Sequence, residues 1–319
     1  MTALPSLQQM RFLCAVAEFR HFGRAADSCA VTQSTLSAGI QELEERLGVI
    51  LVERDRRRVM MTPLGEEIVL RARRLLSDAE DLVDVAHGGR EPLSGSLRLG
   101  VIPTIGPYLA SPIMRGLAKA FPRLKLYLRE EQTAALLEKL AVGQLDLVLL
   151  ALPYDVADLE TMALGEDAIV VALPVGHPLA RAKRIDHDDL AAEKLLLLED
   201  GHCLRSHSLQ ACNIAGTVAN EIFQGTSLRT LVQMAASGLG VTLVPEMALA
   251  AEFPADGSLV ARPIGPGTSA RTIALAWRRN SARKSEFRMF GGYVKDVLSE
   301  LRRLGGVSGQ GPGALQEAR

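Results

Sequence analysis

The stretch from Gly23 to Leu47, GRAADSCAVTQSTLSAGIQELEERL, predicts two short helices joined by a tight polar turn. The small residues Ala25 and Ala26 lie on the first helix and allow the second helix to cross it closely. The second helix begins near Gln33, and its apolar residues recur at the spacing of one buried helix face. Those apolar residues are Leu36, Ile40, Leu43 and Leu47. Gly48 is placed to end this helix.

Two short helices in this order are typical of a helix-turn-helix, whose second helix reads the major groove of DNA. Amides and hydroxyls at its exposed start can hydrogen-bond base edges and phosphates. Arginines shortly after it supply positive charge for phosphates or for a neighbouring minor groove. The candidate DNA contacts are Gln33, Ser34, Thr35, Ser37, Arg54, Arg56 and Arg58. A small three-helix domain with a solvated basic loop stays open as the alternative.

After the arginines, Pro63 begins a predicted long helix that runs to about residue 87, since proline is well tolerated at a helix start. Its apolar residues settle into alternating steps of three and four, which is the pattern of a coiled-coil seam. They are Leu64, Ile68, Ala72, Leu75, Ala79, Leu82 and Ala86. We interpret this segment as a dimerisation helix. The alternative is a helix that packs on its own domain.

Length and composition bound the remaining possibilities. The chain has 319 residues, a net charge of −1 and 48% hydrophobic residues, which favours a folded protein of two or three units over a wholly basic nucleic-acid-binding chain. No signal peptide or membrane-spanning run is expected, so the sequence favours a cytoplasmic protein without a membrane partner. Four cysteines in a reducing compartment indicate a transient or redox-sensing disulfide rather than a structural framework.

Beyond the long helix, the pattern changes to short apolar runs that alternate with helices, which predicts an α/β domain with a largely parallel sheet. We therefore expect five segments: a helix-turn-helix domain at 1–62, the dimerisation linker helix at 63–87, a hinge at 88–95, an α/β domain at 96–304 and a disordered tail at 305–319. The predicted strands are 97–102, 124–128, 145–152, 168–173, 195–198, 240–244 and 273–277. The predicted helices of this part are 107–120, 133–142, 204–215, 227–237 and 284–304.

A second informative stretch is Glu199-Asp200-Gly201-His202-Cys203-Leu204-Arg205, with Cys212 nine positions after Cys203. Cys203 lies near a predicted helix start, and Arg205 is close, so both features are expected to lower the pKa of the thiol. Nine residues of regular helix hold two Cα atoms about 13 Å apart, whereas a disulfide needs less than about 7 Å. A disulfide here would therefore require the helix to unwind.

Other interpretations of these cysteines stay open at this point. Cys203 and Cys212 could be buried and inert, or could bind a metal together with His207, although the spacing is not that of a structural zinc site. Cys14 and Cys29 fall among apolar helical positions of the first domain and are interpreted as small core residues.

The amino-terminal region resembles the winged helix-turn-helix of LysR-type transcriptional regulators. The resemblance lies in Phe22, Ala25, Ala26, Thr32, Gln33, Ser34, Leu36, Ser37, Ile40, Leu43, Glu44, Leu47, Gly48, Leu51, Arg54 and the run Thr62-Pro63-Leu64-Gly65. Ser34 stands where many members have proline, and it is compatible with a first helical turn. The resemblance implies a periplasmic-binding-protein-like regulatory domain of two subdomains, about 96–166 with 269–304 and about 167–268. It also implies a dimer, a tetramer on double-stranded promoter DNA, and RNA polymerase as a partner.

The cysteine block resembles the hydrogen-peroxide-sensing OxyR branch of that family. So do the runs Ile102-Pro103-Thr104-Ile105-Gly106-Pro107-Tyr108, Glu131-Gln132-Thr133 and Thr226-Ser227-Leu228. This resemblance implies that Cys203 is the peroxidatic cysteine and Cys212 the resolving one. It further implies that Thr104, Thr133 and His202 position the peroxide, with no cofactor and no metal.

Three functions follow from these patterns. The leading interpretation is a transcriptional regulator of the oxidative-stress response, not an enzyme, controlled by a reversible Cys203–Cys212 disulfide. The first alternative keeps the regulator but replaces the signal with a small-molecule co-inducer held between the two subdomains. The second is a thiol peroxidase that turns over at the same cysteines, which the DNA-binding domain disfavours.

Overall fold

A computed structural model describes residues 4–54, 59–86, 92–156, 158–211, 223–265 and 269–305. The chain divides into two compact units. The first holds the amino-terminal elements through the long helix, together with residues 138–145. The second holds the remainder of the α/β part. The predicted hinge, the tail and Cys212 lie wholly or largely outside the described residues.

The first unit begins with three helices: α1 (Leu7–Phe19), α2 (Phe22–Ser28) and α3 (Gln33–Leu47). The turn before α3 is held by Thr32, whose hydroxyl accepts a hydrogen bond from the Thr35 backbone N–H at 3.2 Å. Gly48 ends α3 with a left-handed φ of 70°, which confirms its predicted role as the stop. The predicted apolar face is buried between the helices at Leu36, Ile40 and Leu43.

A small wing and a long helix complete this unit. The wing strands β1 (Val52–Arg54) and β2 (Val59–Met61) pair antiparallel. Helix α4 (Pro63–Ala86) begins at the predicted proline and has the predicted length. Part of its predicted seam faces its own domain, since Ala72 is buried and Ile68 packs against the core that α1 supplies. Leu64, Leu75 and Leu82 are exposed, so the interpretation as a dimerisation helix stays a prediction for these residues.

The second unit contains nine strands among the described residues. They are β3 (Gly95–Val101), β4 (Leu124–Glu130), β5 (Leu147–Leu152), β6 (Leu159–Pro174), β7 (Leu195–Leu198), β8 (Phe223–Gly225), β9 (Val241–Pro245), β10 (Leu259–Pro263) and β11 (Ala270–Arg278). The helices after α4 are α5 (Gly106–Ala120), α6 (Thr133–Ala141), α7 (His187–Ala191), α8 (Cys203–Ala211), α9 (Leu228–Ala236), α10 (Leu249–Glu252) and α11 (Lys284–Gly305). The last residues of α6, from 138 on, belong to the first unit.

These strands form one continuous sheet in the order β4-β3-β5-β11-β6-β9-β7-β8, with β10 paired to β6. The expectation of a largely parallel sheet was wrong. β11 runs antiparallel to both β5 and β6, and β6 runs antiparallel to β9 and β10. The apolar runs were predicted well as strands, but their direction depends on crossovers that periodicity does not encode.

The long strand β6 joins two halves of the sheet. Its first part pairs with β11 and its last part with β9 and β10. We call β3, β4, β5 and β11 with α5, α6 and α11 subdomain I, and β7 to β10 with α7 to α10 subdomain II. Only residues 168–173 of β6 were predicted as strand. The preceding residues were missed because their polar side chains, such as Glu160 and Glu166, interrupt the apolar run.

Candidate redox site and DNA-reading helix

Cys203 is the first residue of α8 and follows the loop after β7. Its side chain is buried, with 5% of the residue exposed. Gly201 makes the approach possible, because its φ of +96° favours glycine and a Cβ there would lie 2.5 Å from Gln132 Oε1. The loop before α8 is therefore pressed against the loop before α6, which brings residues that are far apart in sequence to one place.

The three residues expected to position a peroxide are buried, like Cys203. Thr133 is the first residue of α6, and its hydroxyl interacts with the Cys203 sulfur. That hydroxyl has no standard hydrogen-bond partner within the described residues. Thr104 follows β3, and His202 directly precedes Cys203. The loops that carry these residues follow the carboxyl ends of β3, β4 and β7, where α/β proteins place ligands.

Arg271 on β11 is the cation of this site, and sequence analysis missed it. The residue is fully buried and forms an ion pair with Asp167 on β6 at 3.0 Å. Its Nη1 donates to the Thr104 hydroxyl at 2.7 Å, and its Nη2 donates to the Thr104 carbonyl at 2.8 Å. Because a guanidinium only donates, Thr104 Oγ1 must accept here, and its own proton stays available to another acceptor.

A signal for these two residues was present in the sequence. Arg271 shares a two-residue period with Ile273, Leu275 and Trp277, which places its charge in line with large buried side chains of β11. Asp167 has the same relation to Ile169, Val171 and Leu173 in β6. A charged residue in phase with a buried strand face requires a partner. Arg271 and Asp167 could therefore have been predicted as partners of each other from the sequence.

The pKa of the Cys203 thiol is raised, and burial is the main cause. Arg271, the Thr133 hydroxyl and the backbone N–H groups at the start of α8 act in the opposite direction. The expectation that Arg205 lowers this pKa was wrong in two respects. The cation that acts on the thiol is Arg271, and the net shift of the thiol pKa is upward. Arg205 instead forms an ion pair with Asp200 at 2.9 Å and donates to the Leu198 carbonyl. The site therefore keeps a thiol at rest but can stabilise a thiolate once one forms.

His202 is 8% exposed, and burial lowers its pKa, although Glu199 opposes this shift from 4.0 Å. A neutral imidazole can both donate and accept a hydrogen bond, which suits a group that orients a peroxide. Cys212 lies outside the described residues, one position after the end of α8. Its assignment as the resolving cysteine stays a prediction.

The candidate DNA contacts at the start of α3 are accessible. Gln33, Ser34 and Thr35 are exposed, whereas Ser37 is half-buried. The Thr32 hydroxyl lies 2.9 Å from that of Ser34 and 2.8 Å from that of Thr35, so the turn orders the hydroxyls at the helix start. Arg56 and Arg58, like the side chain of Arg54, lie outside the described part of the chain.

Cys14 and Cys29 pack at the edge of the helical core and are half-buried. Burial raises the pKa of the Cys14 thiol to about 11, with Arg73 opposing the shift. A thiol with so high a pKa is almost entirely protonated at neutral pH and is a poor nucleophile. This agrees with the interpretation of Cys14 as a packing residue.

The chain therefore combines a helix-turn-helix domain with an α/β domain that holds a buried thiol. Residues 7–66 match the bacterial regulatory helix-turn-helix domain of the LysR family, and residues 90–299 match the LysR substrate binding domain. Since these matches span most of its length, the chain belongs to the LysR family of bacterial transcriptional regulators.

Within that family, the chain is similar to several named regulators, one of which is named for induction by peroxide. It is 40% identical to the hydrogen peroxide-inducible genes activator of Dickeya chrysanthemi, over 92% of this chain and 96% of the relative. It is 41% identical to the HTH-type transcriptional regulator EstR of Acinetobacter baylyi, over 94% of this chain and the whole of that relative. Full-length OxyR from Pseudomonas aeruginosa superposes with a TM-score of 0.79 at 35% identity, over 92% of this chain and 95% of that one.

Within the described residues, no helix combines the length and the apolarity that a membrane crossing requires.

Proposed function

We propose that this protein senses hydrogen peroxide through Cys203 and converts the signal into a change in promoter binding. The observation that carries this proposal is the buried Cys203 thiol at the start of α8, with Thr133 against it and Arg271 as the nearby cation. In this arrangement Arg271 and Thr133 oppose the burial that raises the pKa of the Cys203 thiol, and the hydroxyls supply donors for an oxygen substrate. The similarity to hydrogen peroxide-inducible activators supports the same conclusion.

The chemistry proceeds in two steps. The Cys203 thiolate attacks one peroxide oxygen, the O–O bond breaks, and the leaving hydroxide takes up a proton to become water. The thiol of Cys212 then loses its proton and attacks the sulfenic sulfur, which releases the second water and leaves a disulfide. Two thiols thus lose two electrons to one peroxide. In this scheme Thr104, Thr133 and His202 orient the peroxide, and no metal or cofactor takes part.

The disulfide acts on DNA binding through the fold. Closing it requires α8 to lose its regular form, because a regular helix continued to position 212 would hold the two Cα atoms about 13 Å apart. In our proposal this change shifts contacts between subunits of a dimer or tetramer, and so the placement of the Gln33, Ser34 and Thr35 surfaces on promoter half-sites. The exposed leucines of α4 are the candidate dimer contacts. Recruitment of RNA polymerase and a cytoplasmic location belong to the same proposal.

A thiol count tests this function directly. The reduced protein is treated with about one equivalent of peroxide and analysed by mass spectrometry. Loss of two thiols with a linked Cys203–Cys212 peptide, together with a changed DNA footprint, is the expected result. Cys203→Ser should abolish both changes, and Cys29→Ser serves as the matched control. Unaltered thiols in the wild type, or an unchanged response in Cys203→Ser, would refute the sensor.

The alternative signal is a small-molecule co-inducer between the subdomains. It is favoured by the match to a substrate binding domain and by the similarity to EstR, whose name mentions no peroxide. Calorimetric binding of a metabolite with equal affinity to the wild type and to Cys203→Ser would support this alternative. Consumption of many peroxide equivalents per chain would instead indicate a thiol peroxidase.

A further inference from the structure

His207 lies one helical turn after Cys203 on the same face of α8. Residues four apart on a helix have Cβ atoms about 5–6 Å apart, and helical side chains lean toward the helix start. The imidazole is buried, with 4% of the residue exposed. The imidazole therefore lies in the protein interior near the Cys203 thiol, where its polar N–H needs a hydrogen-bond partner.

That partner is a backbone carbonyl far away in the sequence. His207 Nε2 lies 2.9 Å from the carbonyl oxygen of Pro153. A carbonyl only accepts, so Nε2 carries the proton and Nδ1 carries the lone pair. Nδ1 is buried and has no hydrogen-bond partner within the described residues. Burial also lowers the pKa of His207, which keeps the ring in this neutral form.

The bond joins the two subdomains. Pro153 directly follows β5, a central strand of subdomain I, whereas α8 belongs to subdomain II. Subdomain I also supplies Thr104 and Thr133 to the redox site. The imidazole therefore fastens the helix that carries Cys203 to the part of the protein that carries the donors.

We propose that His207 is a positioning residue whose hydrogen bond to the Pro153 carbonyl, called the latch below, holds α8 in place in the reduced state. The latch thereby sets how readily the Cys203–Cys212 disulfide forms. This inference rests on the proposed function. His207 is four residues after Cys203 and five before Cys212, in the middle of the segment that must lose its helical form when the disulfide closes. Closure removes one proton and one electron from each thiol and moves the His207 backbone. The hydrogen bond to Pro153 is made in the dithiol state alone. Its loss on oxidation therefore lowers the equilibrium constant for disulfide formation.

The first test is a redox titration of the full-length protein with reduced and oxidised dithiothreitol, scored by the Cys203–Cys212 linked peptide. His207→Ala should raise the equilibrium constant for disulfide formation about 2- to 12-fold, the worth of one neutral hydrogen bond. Alanine is a better helix former than histidine, so weakened helix propensity does not explain such a rise. His207→Gln can still donate an N–H to the Pro153 carbonyl and should stay within about twofold of the wild type.

His177→Ala is the matched control in the same subdomain. His177 is engaged at both ring nitrogens, Nε2 with Glu193 and Nδ1 with the Leu179 backbone N–H, but it lies outside α8. We expect this variant to lose stability without changing the disulfide equilibrium. Equal equilibrium constants for the wild type and His207→Ala would overturn the latch. So would an equal shift in His207→Ala and His207→Gln.

A second measurement separates this inference from the proposed function. Amide hydrogen exchange of the reduced protein reports the opening of α8 without any disulfide chemistry. His207→Ala should accelerate exchange in α8 but not in α9, and His207→Gln should restore the slow rate. Exchange in α8 that does not accelerate overturns the latch even if the wild type forms the disulfide. A wild type that forms no disulfide overturns the sensor and with it the redox role of His207.

Discussion

Two helices of subdomain II, α8 and α9, have equal length but opposite character. Each has nine residues. Helix α9 buries Leu228, Leu231, Val232 and Ala235, whereas the buried residues described in α8 are Cys203, Leu204, His207 and Ser208. Aliphatic burial is non-directional and survives small movements, but a thiol, an imidazole and a hydroxyl depend on particular partners.

The difference shows how one fold can hold a switch next to a rigid support. Helix α9 begins with a Ser227 cap, whose hydroxyl accepts from the Thr230 backbone N–H at 3.2 Å, and it packs on β7 and β9. Helix α8 places Leu204 in the same core, with Leu209 packed against it, but its other buried side chains are a thiol, an imidazole and a hydroxyl. Elements with few buried apolar contacts open at the lowest free-energy cost. We therefore expect α8 to respond to oxidation while α9 preserves the subdomain.

The largest effect should come from truncating the core of α9. Leu231→Ala removes a fully buried side chain, and such changes cost about 2–5 kcal/mol of unfolding free energy. Denaturant unfolding of the reduced protein measures this loss. Because we expect α9 to keep its packing when the disulfide forms, the disulfide equilibrium constant should stay that of the wild type. A large change in that constant would mean that α9 also takes part in the switch.

The next largest effect concerns the electrostatics at the start of α8. Arg271→Gln removes the cation that favours the Cys203 thiolate, so the pKa of that thiol should rise further. Each unit of increase lowers the thiolate fraction, and with it the peroxide rate at neutral pH, about tenfold. Stopped-flow measurement of sulfenic acid formation against pH gives both quantities. Arg205→Gln is the matched control, because Arg205 pairs with Asp200 instead, and it should leave the thiol pKa unchanged.

Glycine substitutions at one exposed position in each helix should have smaller effects, and they test the same comparison between α8 and α9. Gln233→Gly in α9 should lower the unfolding free energy by about 1 kcal/mol, as glycine does inside helices. Ser206→Gly in α8 should change helix propensity by about 0.5 kcal/mol and raise the disulfide equilibrium constant about twofold. Chemical unfolding and the dithiothreitol titration measure the two outcomes. Equal behaviour of the two variants in both assays would contradict the assigned roles.

The smallest expected effect is a dependence of stability on pH. Burial lowers the pKa of His202 and His207 in the folded chain below the ordinary value of 6.5. Below pH 6.5 the unfolded chain takes up protons that the folded chain refuses, so stability falls until the folded pKa values are passed. Above that pH both states are neutral and the contribution is constant. Unfolding midpoints between pH 5 and about 7.5 should show this slope, and His207→Gln should flatten it.

The sequence by itself determined the parts of this protein that depend on short-range pattern. The helix-turn-helix, the stop at Gly48, the start of α4 at Pro63 and the strand at Leu195–Leu198 all follow from spacing and capping within a few residues. The block around Cys203 could also be identified from the sequence, since its glycine, histidine and cysteine are consecutive.

Only the tertiary structure decided what surrounds the thiol. Arg271 meets Thr104 across 167 positions and Asp167 across 104, and His207 meets Pro153 across 54. Periodicity shows which face of a strand or helix is buried, but not which other element faces it. That choice depends on the register of β11 with β6 and on the order of strands in the sheet. The cation expected nearby in sequence, Arg205, was therefore the wrong one, because the interior brings charges together through strand pairing rather than through proximity along the chain.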